Sequence, residues 1–387
     1  MTQSSSPQGN SRQVIVDIVR GFALIGVLMA NFAAYVYQQS PSSVLNSMSS
    51  PFDQALITFN TIFFEWKFFT LFSILFGYSF GLLLDSAERN KLNTNAIFIR
   101  RMSWLFVVGC IHSLFWYGDV LHLYAICGMI LLLFRKKGDR IIFYSSILCM
   151  FVLPFLIKYI FRNQPETFTD ADLQELYDYL KMASLSELFR FNMDFYYRMF
   201  IVSGEDLREL TQVLGRFLFG YYLLRIQFFH RIQANKSLFR KISLYSFLIM
   251  IAYFLLRWLL LKQSIHINQF LLAPLLSIGI LSTTTFYVML LTKGYHTYGQ
   301  NRIFVILQNL GKMTLTNYLL ISLFLITWLY GIGWNQLGLF PLSTIWFCAL
   351  LWLALEIIFS SLWLKRFRYG PIEWILRQFT YWERISL

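Results

Sequence analysis

The sequence predicts an all-α protein, a polytopic transmembrane helix bundle of about ten helices with both ends in the cytoplasm. Three observations lead there. First, 57% of the 387 residues are hydrophobic and only 14% charged, where a soluble domain carries about a quarter charged residues. Second, many apolar runs reach the roughly 18 to 25 residues that cross about 30 Å of hydrocarbon at about 1.5 Å per residue. Third, Lys and Arg gather in alternate connections, the pattern of loops that resist translocation. The 19% of aromatic residues suits lipid-facing surfaces and interfacial belts. The whole chain, 1–387, reads as a single membrane domain.

Residues 1–13 are polar and Ser-rich, and the apolar run after them already holds Asp17 and Arg20. A cleavable signal has a cleaner apolar stretch behind a basic head, so this run reads as a retained first span, near 14 to 37. Spans near 64 to 85, 97 to 116, 119 to 134 and 141 to 161 follow, the fourth too short to tilt much. The interval 162–208 is polar and acidic, with Glu166, Asp170, Asp172, Glu175 and Asp178, and is placed outside the cytoplasm. Within it, Ala171 to Lys181 and Leu185 to Phe200 space their apolar residues helically, which predicts short interfacial helices serving as a connector or a lid. Five more spans lie near 209 to 229, 242 to 261, 268 to 291, 309 to 331 and 340 to 364.

Orientation follows from the basic clusters. Arg89, Lys91, Arg100 and Arg101; Arg135, Lys136, Lys137 and Arg140; Arg231, Lys236, Arg240 and Lys241; Lys293 and Arg302; and Lys365, Arg366 and Arg368 all fall on one side. Because the net charge of +13 is dispersed in these short clusters, no nucleic-acid partner is expected, and the partners are membrane lipids. Cys110, Cys127, Cys149 and Cys348 lie inside apolar runs without C-x-x-C spacing and read as packing residues. Leu75-Phe76-Gly77-Tyr78 is echoed by Leu218-Phe219-Gly220-Tyr221, which close helix packing through small residues explains without a duplication.

Ionisable groups within hydrocarbon cost roughly 2 to 3 kcal/mol each unless partnered, so they mark sites. Asp17 and Arg20, three residues apart near the cytoplasmic end of the first span, either lock that helix by pairing or present Arg20 to an anionic group. Asn31 lies about 16 Å further along the helix; its amide bonds a neighbouring helix or donates to a reacting carbonyl oxygen. The hairpin of the third and fourth spans is densest in chemistry: Arg100, Arg101, Gly109, His112, Trp116, Gly118, Asp119, His122 and Tyr124. Asp119 can approach His112 across the short turn, fix its tautomer and raise its basicity, making His112 a candidate base. His112, Asp119 and His122 supply three metal ligands on paper, yet His112 must arrive from another helix, and no metal is expected. Arg100 and Arg101 hold phosphates or anchor the positive side. Lys312 and Asn317 open the ninth span, and Glu356 is a buried charge in the tenth, for which Lys312 or Arg216 would serve as partner. Nucleotide-hydrolysis and common hydrolase motifs are missing from the sequence.

Across nearly its whole length the chain resembles the YeiB-like family of bacterial multi-pass membrane proteins. The marks are Asp17-Ile18-Val19-Arg20-Gly21-Phe22-Ala23 with Gly26 and Asn31, and Lys67-Phe68-Phe69-Thr70-Leu71-Phe72-Ser73-Ile74-Leu75-Phe76-Gly77. Gly109, His112, Asp119, Leu121 and Tyr124, Gly311 to Tyr318, and Tyr369-Gly370-Pro371-Ile372-Glu373-Trp374 complete the pattern, to which His122 does not belong. The resemblance implies the bacterial cytoplasmic (inner) membrane but no assigned activity. More distantly, the first helix is similar to that of a transmembrane acyltransferase superfamily that includes heparan-alpha-glucosaminide acetyltransferase. That likeness implies acyl-CoA as donor substrate, held by Arg20, Arg100 and Arg101, with His112, Asp119 and Asn31 catalytic. Asp17, Lys312, Asn317 and Glu356 would be substrate-facing or structural polar groups, and the acceptor an extracytoplasmic sugar, glycan or small molecule. A transporter using the same buried charges, or a scaffold without catalysis, is the alternative.

Overall fold

The computed structural model describes residues 7–162, 169–182, 184–263, 267–299 and 301–386. The described residues form helices and no strands. In chain order these are α1 (Pro7–Tyr37), α2 (Ser42–Met48), α3 (Pro51–Phe63), α4 (Lys67–Arg89), α5 (Thr94–Phe115), α6 (Leu121–Leu132), α7 (Asp139–Ile147), α8 (Leu153–Ile160), α9 (Asp170–Met182), α10 (Leu185–Tyr196), α11 (Glu205–Arg225), α12 (Phe228–Ala234), α13 (Lys236–Leu261), α14 (Gln269–Tyr298), α15 (Arg302–Lys312), α16 (Thr314–Leu329), α17 (Leu342–Arg366) and α18 (Pro371–Tyr381).

Seven helical stretches among the described residues are long and apolar enough to cross a membrane, and the bent pair α15 and α16 makes an eighth. Every predicted span coincides with a helix. The two beyond those eight are α6, only 12 residues long, and α11, whose first turns carry Glu205, Asp206, Arg208 and Glu209. Both are shielded by the rest of the bundle: α6 buries Leu121, Leu123, Tyr124, Ala125, Cys127, Gly128 and Leu131. A helix enclosed by protein needs neither full length nor lipid-compatible composition.

Two of the spans are not straight helices. The ninth span is not one rod, since α15 and α16 meet at 77° around Met313. The span near 141 to 161 is one stretch, Asp139–Ile160, that contains a π-helical turn at Leu148–Val152 just before Pro154. Proline donates no N–H to the helix ladder, and a local change of helical repeat absorbs the loss.

Glycines set the two tightest crossings. A methyl carbon on Gly21 would lie 1.9 Å from the Leu307 carbonyl oxygen, and one on Gly311 would lie 1.8 Å from that of Asp17, so α1 and α15 touch backbone to backbone. Gly77 and Gly220 do the same for α4 and α11: their methyl carbons would meet the carbonyl oxygens of Phe217 and Ile74 at 2.0 and 1.9 Å. The echoed Leu-Phe-Gly-Tyr segments are thus the two halves of one helix contact, the small-residue packing expected in lipid.

The polar interval folds as predicted into α9 and α10; Glu166 lies outside the described residues. Ser184 and Glu187 form a capping box at the start of α10. Leu176, Leu180, Leu188, Phe191 and Phe195 bury themselves in the core. Asn192 Nδ2 donates to the Leu114 carbonyl at 2.8 Å, tying α10 to the end of α5. This segment forms one end of the bundle, opposite the basic connections.

Candidate functional site

A cavity of about 1470 Å³ lies along α1 and reaches from the basic end to the acidic end. It exceeds the roughly 300 to 1,000 Å³ of ordinary small-molecule sites and leaves room for an extended ligand. Its middle is lined by apolar side chains, among them Leu24, Val27, Phe68, Phe72, Leu75 and Phe76.

At the basic end the walls present Arg20, Arg101, Lys312, Arg368 and Arg377 against two carboxylates, Asp17 and Glu373. Both carboxylates are committed. Asp17 Oδ1 accepts from Arg20 Nη1 at 2.9 Å, and Arg20 Nη2 also donates to Ser79 Oγ. Glu373, from α18, reaches the first turn of α16 and accepts from the N–H groups of Leu315 and Thr316 at 2.7 and 3.0 Å and from the Thr316 hydroxyl. It thereby satisfies helix-start donors at the bend. Burial pushes the Glu373 carboxyl above its usual range, against these hydrogen bonds. Tyr369 is flanked by Arg377 and Arg368, 4.3 and 5.5 Å from its ring centre. The cations at this end outnumber the carboxylates, so it suits an anion.

At the acidic end, Asp119 is the hub. Its side chain is inaccessible to solvent and takes four hydrogen bonds: His112 Nδ1 at 2.7 Å, His122 Nδ1 at 3.0 Å, and the N–H groups of Leu121 and His122 at 3.0 and 3.2 Å. Gly109 permits this, because a methyl carbon there would come within 2.4 Å of His122 N. With Nδ1 donating to Asp119, the neutral His112 ring keeps its lone pair on Nε2, a buried atom without a partner in the protein. Asn31 lines the cavity between the two ends, and its Nδ2 is likewise without a partner.

Placement of the sequence-predicted residues is therefore divided. Asp17, Arg20, Asn31, Arg101, Asp119 and Lys312 line one cavity. His112 does not line it: it packs against Trp116 and Tyr318 and is connected to the cavity only through its bond to Asp119. Arg100 does not: it is exposed and stacks on Trp382 at 5.6 Å. Asn317 serves packing, its Nδ2 donating to Ser360 Oγ of α17 at 3.0 Å. Glu356 meets neither Lys312 nor Arg216; it accepts from Trp352 Nε1 at 2.9 Å one turn away on its own helix. Sequence reasoning gave Arg368 only an anchoring role and missed Arg377 and the short helix that carries it. Gly370-Pro371, a helix-opening pair, was the available signal. It also set aside His122, which is bonded to Asp119 as directly as His112 is.

Residues 223–383 match the family model described as "Protein of unknown function (DUF418)". Over nearly its full length the chain is 27% identical to the uncharacterized protein YxaH of Bacillus subtilis (strain 168), covering 97% of this chain and 96% of that protein. It is 28% identical to an uncharacterized 39.9 kDa protein in the amylase 3′ region of Bacillus acidopullulyticus, over 95% and 93%. It is also 28% identical to the uncharacterized protein YeiB of Escherichia coli (strain K12), over 95% and 96%. No solved structure matches. The chain is thus similar to YeiB and to other uncharacterized proteins, and its apolar helices make it a multi-pass membrane protein.

Proposed function

We propose that this YeiB-like protein is a transmembrane acyltransferase of the bacterial cytoplasmic membrane, moving an acyl group from cytoplasmic acyl-CoA to an extracytoplasmic acceptor such as a sugar or glycan. The observation that carries the reading is the single cavity running from a cationic mouth past Asn31 to Asp119, the residue to which His112 is bonded. The excess of Lys and Arg in the connections at the cationic end supports a cytoplasmic position for that mouth. Arg20 and Arg101 hold the donor's phosphates there, and the pantetheine arm extends along the apolar walls toward Asn31. Arg100, pointing elsewhere, has no part in this.

Chemically, His112 Nε2 takes the proton of an acceptor hydroxyl as its oxygen attacks the thioester carbon. The Asn31 amide donates to the oxygen that gains charge. Collapse of the tetrahedral species breaks the carbon–sulfur bond, and the departing thiolate takes the proton back from His112, so the reaction is proton-neutral. Asp119 holds the imidazole tautomer and stabilises its cation without itself reacting.

Transport of a small solute is the second reading, favoured by the break at Met313, since discontinuous helices line substrate paths in carriers. The two separate in one set of measurements. Acyl-CoA should raise the melting temperature of the purified protein, and His112→Ala should abolish transfer while leaving that shift intact. No shift with any acyl-CoA, together with Arg20-dependent solute flux in proteoliposomes, would replace catalysis with transport.

A further inference from the structure

Beyond the His112–Asp119 pair, a second branch of hydrogen bonds leaves Asp119 toward the acidic end. His122 Nδ1 stands 3.0 Å from Asp119 Oδ2, His122 Nε2 stands 2.9 Å from the Tyr196 hydroxyl, and Tyr196 in turn bonds Asp206 Oδ1. The residues come from three separate elements: α6, α10 and the first turn of α11. Tyr196 and Asp206 line the cavity.

Counting hydrogens constrains this branch. Its three contacts each need one hydrogen between two heavy atoms. Ionised Asp119 and Asp206 supply none, the tyrosine hydroxyl supplies one, and a neutral imidazole supplies one. One contact is left with two facing lone pairs, which at these separations is repulsive. Borrowing from His112 does not help, because its Nδ1 hydrogen is already used on Asp119 Oδ1.

We propose that the His122–Tyr196–Asp206 branch is a proton-binding site, with one excess proton held on His122 as an imidazolium between Asp119 and the Tyr196–Asp206 pair. The groups facing His122 favour the cation: Asp119 from the α5–α6 connection, Tyr196 from α10, and Asp206 from α11, with Glu205 and Glu209 beside it. Against it stand Arg216 on α11, Arg208, which is already paired with Glu205 at 2.7 Å, and His112, neutral in the tautomer described above. The proton is reached from the acidic end through Asp206, while the base nitrogen of His112 looks away from it. Because both imidazoles share one carboxylate, loading His122 weakens the hold of Asp119 on His112. The cavity's chemistry is therefore coupled to acidity outside the cytoplasm, and this holds for acyl transfer and for transport alike.

The test is histidine-selective ¹⁵N NMR of the full-length protein in lipid nanodiscs at neutral pH. There are five histidines, and His122 is assigned by the signal lost in His122→Gln. The wild-type spectrum should show both His122 nitrogens protonated, and His112 as the Nδ1–H tautomer. Tyr196→Phe removes two of the three contacts, and Asp206→Asn supplies the missing hydrogen from its own amide. Each should convert His122 to a neutral ring, with loss of the imidazolium signal. A neutral His122 in the wild type overturns the proposal without recourse to either variant, as does an imidazolium that persists unchanged in both.

Discussion

Replacing Gly311 with alanine tests the packing that positions the basic mouth of the cavity. A methyl carbon there would lie 1.8 Å from the Asp17 carbonyl oxygen, far inside the ordinary C···O contact of about 3.4 Å. The obstacle is backbone on a 31-residue helix, not the end of a flexible side chain, so α1 and α15 must part by about 1.6 Å where they cross. Two terms oppose. Alanine gains about 1 kcal/mol over glycine in helix propensity, whereas overpacking a close contact costs about 1 to 3 kcal/mol, and occasionally more. The crossing is reciprocal, so the unfavourable term should win. Gly311→Ala should lose up to about 2 kcal/mol net, read as a lower melting temperature in detergent or nanodiscs. Gly21→Ala should do the same, and the double variant should cost less than the two single losses together, because helices already parted accommodate the second methyl. A melting temperature equal to or above wild type for Gly311→Ala would refute the backbone contact. Fully additive losses would refute the shared crossing.

Other outcomes follow from particular bonds. Asp119→Ala leaves two imidazoles and two N–H groups without their acceptor and should destabilise by about 3 to 5 kcal/mol; urea unfolding followed by tryptophan fluorescence measures it. Glu356→Gln should change stability by no more than about 1 kcal/mol, because the bond from Trp352 has a neutral substitute and no cation is left behind; a loss near that of Asp119→Ala would expose a partner. Arg101→Ala should weaken binding of an anionic ligand at the basic mouth by about tenfold or more, with Arg100→Ala unchanged; equal losses would contradict the separation of their side chains. Asp170 Oδ1 accepts from Ser42 N–H at 2.8 Å, and that bond, then the Ser42 hydroxyl, holds its carboxyl below the usual range. A depressed folded value favours the native contact above the ordinary carboxylate range and is lost as pH falls through the lowered value. The protection of the Ser42 N–H, the slowing of its exchange relative to that of an open chain at the same pH, should therefore fall only on acidification past that range, and should be lower at every pH in Asp170→Asn.

The placement of helices was legible in the sequence because apolar run length and loop charge report directly on a lipid solvent. What pairs with what was less so. Asp17 and Arg20 could be paired from their spacing, since three residues on a helix share a face. His112 and Asp119 followed from a turn too short to separate them. Glu356 could not be resolved, because nothing along one helix says which neighbour faces it, and its partner turned out to be Trp352 on the same helix. The bend at Met313 was hidden by continuous apolarity on both sides of Gly311-Lys312. His122 was set aside because it lies outside the YeiB-like pattern, although its three-residue spacing from Asp119 was the same signal that paired Asp17 with Arg20.

The contact between Gly21 and Gly311 joins segments far apart in the chain, which bears on how the molecule is made. The first helix enters the bilayer long before its docking surface has left the ribosome. During that interval a lone guanidinium would favour slipping back into water. An internal counter-charge three residues away makes the segment electrically neutral by itself, so insertion need not wait for assembly. The Asp17–Arg20 pair is local to α1 and so needs no other helix to form, whereas the Gly21–Gly311 contact does.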